Sequence, residues 1–134
     1  MTMSGIRAHA PGWYTWVSGG FLLLQGVSTL LFRLVPALDQ AFPALLGATQ
    51  MIPIHSALHI LTGLLALSIL GWGRQAGCWW FALGFGTFYT LLGAAGLISA
   101  SQLGLGLQPF DHPFHLLAGL PGLLAAALGD RHTP

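Results

Sequence analysis

Apolar residues run through the chain in four long stretches, at roughly 13–35, 52–71, 78–99 and 112–129, parted by short clusters of polar and turn-forming residues. Each stretch is close to the ~20 residues that an α-helix needs to cross ~30 Å of hydrocarbon, the fourth being the shortest. The pattern predicts an all-α integral membrane protein of four transmembrane helices in one domain spanning 1–134. The first stretch follows Met1 to Gly12, which holds the single charge of Arg7, and reads through to Arg33 and Pro36. A secretory signal has a shorter apolar core and a small-residue cleavage site, so this helix is expected to be retained.

The connections refine the picture. Gly71-Trp72-Gly73-Arg74-Gln75-Ala76-Gly77 is a glycine-rich turn too short for anything but antiparallel neighbours, which predicts a central hairpin of spans two and three. Between spans one and two, Leu38, Phe42, Leu45 and Leu46 recur at i, i+4, i+7 and i+8 among the polar Asp39, Gln40, Thr49 and Gln50, bounded by Pro36 and Pro43. This spacing suits a short helix in the membrane interface; an ordinary apolar loop reads equally well.

Composition agrees with a lipid environment. Hydrophobic residues make up 54% of the 134 positions and charged residues 5%, with no lysine, against about 25% charged in a soluble domain. A formal net charge of +1 offers neither a basic stripe for nucleic acid nor an acidic tail. Cys78 has no second cysteine to pair with and reads as a small apolar residue. Arg7, Arg74 and Arg131 fall on the side shared by both termini, whereas Arg33 lies opposite with Asp39 and Asp111. Positive charge accumulates in the cytoplasm, so both termini are expected there, in a bacterial inner or photosynthetic membrane. Trp13, Trp16, Trp72, Trp79 and Trp80 sit at that same end of spans one to three, as an interfacial belt would.

An internal repeat organises the polar residues. Shifted by 56 positions (115 − 59), His59-Ile-Leu-Thr-Gly-Leu-Leu-Ala-Leu67 meets His115-Leu-Leu-Ala-Gly-Leu-Pro-Gly-Leu123 with five of nine residues identical. The helices before them align more weakly, Phe21 to Leu30 on Phe88 to Leu97, with Gly26 on Gly93. Two hairpins entering from the same side would be parallel repeats about an axis along the membrane normal. His55, His59, Gly63 and Asp111, His115, Gly119 then form equivalent stripes at i, i+4, i+8, in the half of the membrane away from the tryptophans. His112, about 100° round from Asp111, is expected at the surface end beside Pro113.

With these segments the chain resembles an uncharacterised family of small bacterial and cyanobacterial membrane proteins, known only as a domain of unknown function. Its members look like four-helix proteins with His-Leu-x-x-Gly in the second helix and Asp-x-x-x-His-Leu-x-x-Gly in the fourth. Here these are His59-Ile-Leu-Thr-Gly63 and Asp111-His-Pro-Phe-His115-Leu-Leu-Ala-Gly119. The long first connection, Ile60 and Pro121 depart from the pattern. The resemblance implies the fold and brings no activity.

Several chemistries suit the histidines. They could hydrogen-bond Asp111, Ser56 or free carbonyls and lock the hairpins together, with Gly63 and Gly119 allowing close helix contact. His59 and His115 could be axial ligands of haem b or chlorophyll, with Gly63 and Gly119 leaving a flat face for the macrocycle. His55, His59, Asp111 and His115 also have the ligand types of a zinc site. No catalysis is expected: His55-Ser-Ala-Leu-His59 lacks the glutamate of a zinc-protease helix, and Gly104-Leu-Gly106 lacks phosphate-loop context. Transport would call for broken helices and polar groups at the midplane, where only Gln25 and a few hydroxyls such as Ser28 and Thr90 lie. Small-residue runs, Ala118, Gly122, Ala126 and Ala82, Gly86, Thr90, Ala94, permit close helix approach within the bundle or with another protein. The leading expectation is a non-catalytic accessory or assembly subunit of a larger membrane complex, or a homo-oligomer; the rival is a haem- or pigment-binding protein.

Overall fold

The computed structural model describes residues 9–42, 51–72, 75–99 and 105–129, and all regular structure among them is helical. The helices are α1 (Ala10–Leu34), α2 (Pro36–Ala41), α3 (Pro53–Gly71), α4 (Gln75–Ser99) and α5 (Asp111–Leu128). Pro11, Pro36 and Pro53 open α1, α2 and α3, where a missing N–H costs no hydrogen bond. Inside α5, Pro121 leaves the Leu117 carbonyl without its intrahelical donor.

Three helices, α1, α3 and α4, are long and apolar enough to cross a membrane. The fourth apolar stretch is helical as the 18-residue α5, yet Asp111, His112 and His115 in its first turns keep it out of that group. The interfacial segment is helical over Pro36–Ala41, where the Phe32 and Phe42 rings meet at 6.2 Å. Leu45 and Leu46 lie outside the described residues.

Helices α3 and α4, the expected central hairpin, are neighbours but not the closest pair. The close pairs are α1 with α3 and α4 with α5; α3 and α4, joined by the short turn, meet only sparsely, and α3 and α5 have no backbone contact. Tight turns force adjacency in sequence, but small side chains decide which helices close up. A Cβ on Gly63 would lie 2.7 Å from the Leu23 amide nitrogen and 2.8 Å from the Gly19 carbonyl oxygen. On Gly119 it would lie 2.5 Å from the Thr90 nitrogen and 2.8 Å from the Gly86 oxygen. Gly26 rests on the Ser56 carbonyl in the first seam, and Gly93 on the His112 carbonyl in the second.

The two pairs are held to each other by a core of Leu22 and Ala66 against Phe81, Phe85 and Tyr89. Two polar bonds add direction. The Tyr14 hydroxyl donates to the Ala118 carbonyl at 2.7 Å across the two pairs, and within the α4–α5 pair the Trp79 indole donates to the Ala126 carbonyl at 2.9 Å. Ala126 is among the last four carbonyls of α5, which have no helical donor, so Trp79 serves as its cap. Of the five tryptophans at this end, Trp13, Trp16, Trp72 and Trp80 are more than half exposed, whereas Trp79 is tied into the bundle. At the other end Met51 and Leu107 are buried, Arg33 Nε donates to the Met51 carbonyl at 2.8 Å, and Gly106 turns at φ 63° against Ile52.

A buried histidine cavity as the candidate functional site

His55 and His59 stand one turn apart in the first half of α3, so their side chains share a face. Each is 4% exposed, and their Nε2 atoms are 3.1 Å apart. His115, from α5, is 2% exposed and brings its ring centroid to 6.5 Å from that of His55. The sequence pattern does not single out the fourth member, Tyr89 of α4. Its hydroxyl lies 3.3 Å from His59 Nε2, and its ring stands edge-on to His115 at 5.0 Å. A phenol deep in an apolar span, away from the tryptophan end, is the signal that could have found it: a buried Tyr O–H usually has a polar partner.

These four residues form the polar end of a cavity of about 310 Å³ between α3 and α4. Phe81, Phe85 and Phe88 wall it, Leu105 and Leu92 close it, and Leu58, Leu65 and Phe88 are also exposed on the outer surface. The cavity therefore opens sideways, through the gap where α3 and α4 fail to close. A second cavity, about 300 Å³, lies between α1 and α5, lined by Tyr14, Ser18, Phe21, Leu22, Phe114 and Pro121, among others. Phe85 and Tyr89 border both cavities.

Hydrogen bonding at the polar end is incomplete. The Nδ1 atoms of His55, His59 and His115 are buried without a partner. His59 Nε2 has two neighbours within reach, yet a ring nitrogen has one in-plane position, a lone pair or an N–H. One neighbour is left unsatisfied. Each such buried group costs about 1–3 kcal/mol, so the cluster is a liability for stability alone.

The remaining expected site residues fall elsewhere. Gly63 and Gly119 are turned into the helix seams and do not line the cavity. Asp111 Oδ2 accepts the Gln108 amide N–H at 2.7 Å in the turn before α5, not a histidine. Ser56 pairs with Thr29, their hydroxyl oxygens 3.0 Å apart across the α1–α3 seam. His112 is not at the surface end: it is 5% exposed, with its ring laid over Gly96. It occupies the α5 face that also carries Gly119 and Gly122, which is the face turned to α4.

Among the described residues no three His, Cys, Asp or Glu are grouped so as to hold a metal ion, so the set His55, His59, Asp111 and His115 is not assembled. The flat bed expected for a haem or chlorophyll is not open at Gly63 and Gly119, which are covered by helix backbone, and His59 Nε2 has His55 and Tyr89 within hydrogen-bond reach. No protein-family model, curated protein or solved structure matches the chain.

Proposed function

We propose that this chain is a non-catalytic, four-span membrane protein whose role is to bind a small ligand in the cavity of His55, His59, His115 and Tyr89. It acts as an accessory subunit beside a larger membrane complex or as an oligomer of itself. The observation that carries this reading is a set of buried ring nitrogens without partners at the head of an apolar, sideways-opening cavity. Pockets with apolar walls and a few convergent polar groups are the usual form of a ligand site.

α5 is the fourth span in this reading, and the two hairpins are equivalent repeats. The seams support that. A shift of 56 takes Gly63 to Gly119 and Ser56 to His112, and a shift of 67 (93 − 26) takes Gly26 to Gly93, Gly19 to Gly86 and Leu23 to Thr90. Each of these pairs makes the matching contact in its own seam. The same shifts carry Leu58, Thr62 and Leu65 of the first cavity onto Phe114, Ala118 and Pro121 of the second, and Phe81, Phe88 and Tyr89 back onto Tyr14, Phe21 and Leu22. The tryptophan end, with Arg7, Arg74 and Arg131, is the cytoplasmic one, so the histidine cavity lies in the opposite half of the bilayer. The family that the His59 and His115 segments resemble is where this chain is best placed.

The test is chemical. Protein purified in mild detergent is extracted with organic solvent beside a Thr62→Trp variant, whose indole fills the cavity. A small molecule enriched in the parent and missing from the variant is the expected result; identical extracts from two folded preparations would overturn the reading. An absorption band of a tetrapyrrole in the parent would return haem or chlorophyll on His59 and His115 to first place. Native sizing that gave only the monomer would remove the accessory and oligomer roles.

A further inference from the structure

We propose that the cavity between α3 and α4 takes the ring headgroup of a lipid-soluble quinone, which enters sideways from the bilayer and leaves its hydrocarbon tail among the lipids. The inference rests on the ligand-binding reading and specifies the ligand. Access decides the first property. The mouth lies between two helices that barely meet, and its rim of Leu58, Leu65 and Phe88 is exposed on the apolar outer face of the bundle. A ligand arriving there crosses hydrocarbon, which favours a lipid-soluble molecule over a hydrated ion or a sugar.

The polar end decides the second property. Three neutral imidazoles and one phenol hold four donor hydrogens, 3 + 1. The single in-plane position of His59 Nε2 serves at most one bond, to His55 or to Tyr89, and His115 has no side-chain bond to either. Three donors remain, together with two ring-nitrogen lone pairs, and carbonyl oxygens answer the donors without a charge. The walls decide the third. Phe81 and Phe85 stack at 5.2 Å and 16°, and Phe85 and Tyr89 at 4.0 Å and 24°, giving a run of nearly parallel ring faces beside the polar end. A flat ring with carbonyls at its edge suits such a wall. At about 310 Å³ the cavity is at the small end of the ~300–1,000 Å³ range of ligand pockets, suited to one substituted ring with its tail outside.

The experiment titrates the full chain in detergent with decylubiquinone, with decylbenzene (a ring and tail without carbonyls) and with palmitate, following binding by thermal shift and calorimetry. Decylubiquinone is expected to bind at least tenfold more tightly than decylbenzene. His59→Leu and Tyr89→Phe are each expected to weaken the quinone about tenfold and leave decylbenzene unchanged, with folding checked by circular dichroism. Thr62→Trp should abolish quinone binding. Equal binding of the two ring compounds, both lost in Thr62→Trp, would overturn the quinone while leaving a ligand cavity. Quinone binding indifferent to Thr62→Trp would overturn both. Tighter binding of palmitate, lost in the same His59 and Tyr89 variants, would assign the cavity to a carboxylate lipid instead.

Discussion

Replacing Gly63 by alanine tests whether the seams, and not the turns, organise this bundle. The added methyl would stand 2.7 Å from the Leu23 nitrogen and 2.8 Å from the Gly19 oxygen, both backbone atoms that no rotamer change can move. Ordinary contact needs at least half an ångström more, so α1 and α3 must separate by about that amount. If the seam holds as many atom pairs as one buried leucine, roughly 40–60 at about 0.1–0.2 kcal/mol, it is worth about 4–12 kcal/mol. Opening it by about half an ångström forfeits a quarter, about 1–3 kcal/mol. Overpacking in other well-packed interiors costs a similar ~1–3 kcal/mol.

The same substitution has an internal control. Gly20 and Gly84, on the outward faces of α1 and α4, have nothing within 4 Å of the place a methyl would take. There alanine should only stiffen the helix, a gain of about 0.5–1 kcal/mol. The helix gain is common to all four variants, so Gly63→Ala and Gly119→Ala are expected to unfold earlier in a detergent titration than Gly20→Ala and Gly84→Ala by the seam cost, about 1–3 kcal/mol. Equal midpoints for all four variants would refute the seam argument.

Three further outcomes follow from single contacts. Tyr14→Phe removes the bond to the Ala118 carbonyl and is expected to cost about 1 kcal/mol in the same titration; no change would mean that this bond makes no net contribution to docking α1 on α5. Gly96→Ala drives a methyl into the His112 ring and should cost about 1–3 kcal/mol, recovered when His112→Ala is added; a double variant no better than the single would place the clash elsewhere. A cytoplasm-active reporter fused after Pro134 should be active, and an inactive fusion would reverse the orientation.

The helices are legible in the sequence because a run of about twenty apolar residues is a signal of length, independent of what each face touches. The expected starts and ends fall within three residues of the observed ones in each of the four stretches. Faces are harder. In a soluble helix the inward side announces itself by an apolar stripe, but where the solvent is lipid both sides are apolar and the stripe vanishes. Hence the glycines stand out, since lack of a side chain is visible in any solvent, while spacing alone does not say whether they serve a seam or a cofactor bed. His112 reads as outward because its neighbours Asp111 and Pro113 are polar or helix-breaking; the structure shows it on the seam face. Trp79 shares its height with four other tryptophans but not their direction. Tyr89 has no histidine or other polar side chain three or four residues away on α4 to mark it; its hydroxyl meets His59 of α3 and its ring meets His115 of α5.

The second cavity bears on whether the polar quartet is a packing device. It has similar volume and shares Phe85 and Tyr89 with the first, yet its lining includes no histidine. Helices α1 and α5 flank it without a buried imidazole cluster, so such a cluster is not a requirement for docking one hairpin on the other. Removing all members of a half-satisfied network is often neutral or stabilising, since each unpaired group costs about 1–3 kcal/mol while it remains. The triple variant His55→Leu, His59→Leu, Tyr89→Phe removes three of the four polar groups and keeps the Tyr89 ring in the core, and is therefore expected to fold, to unfold no earlier than the parent, and to lose ligand binding. Single His115→Leu leaves the other three in place and should gain less. A triple variant that unfolds several kcal/mol earlier, on the scale of about 3–5 kcal/mol seen when buried polar pairs are broken, would show the quartet to be structural cement and take away the basis for a ligand there.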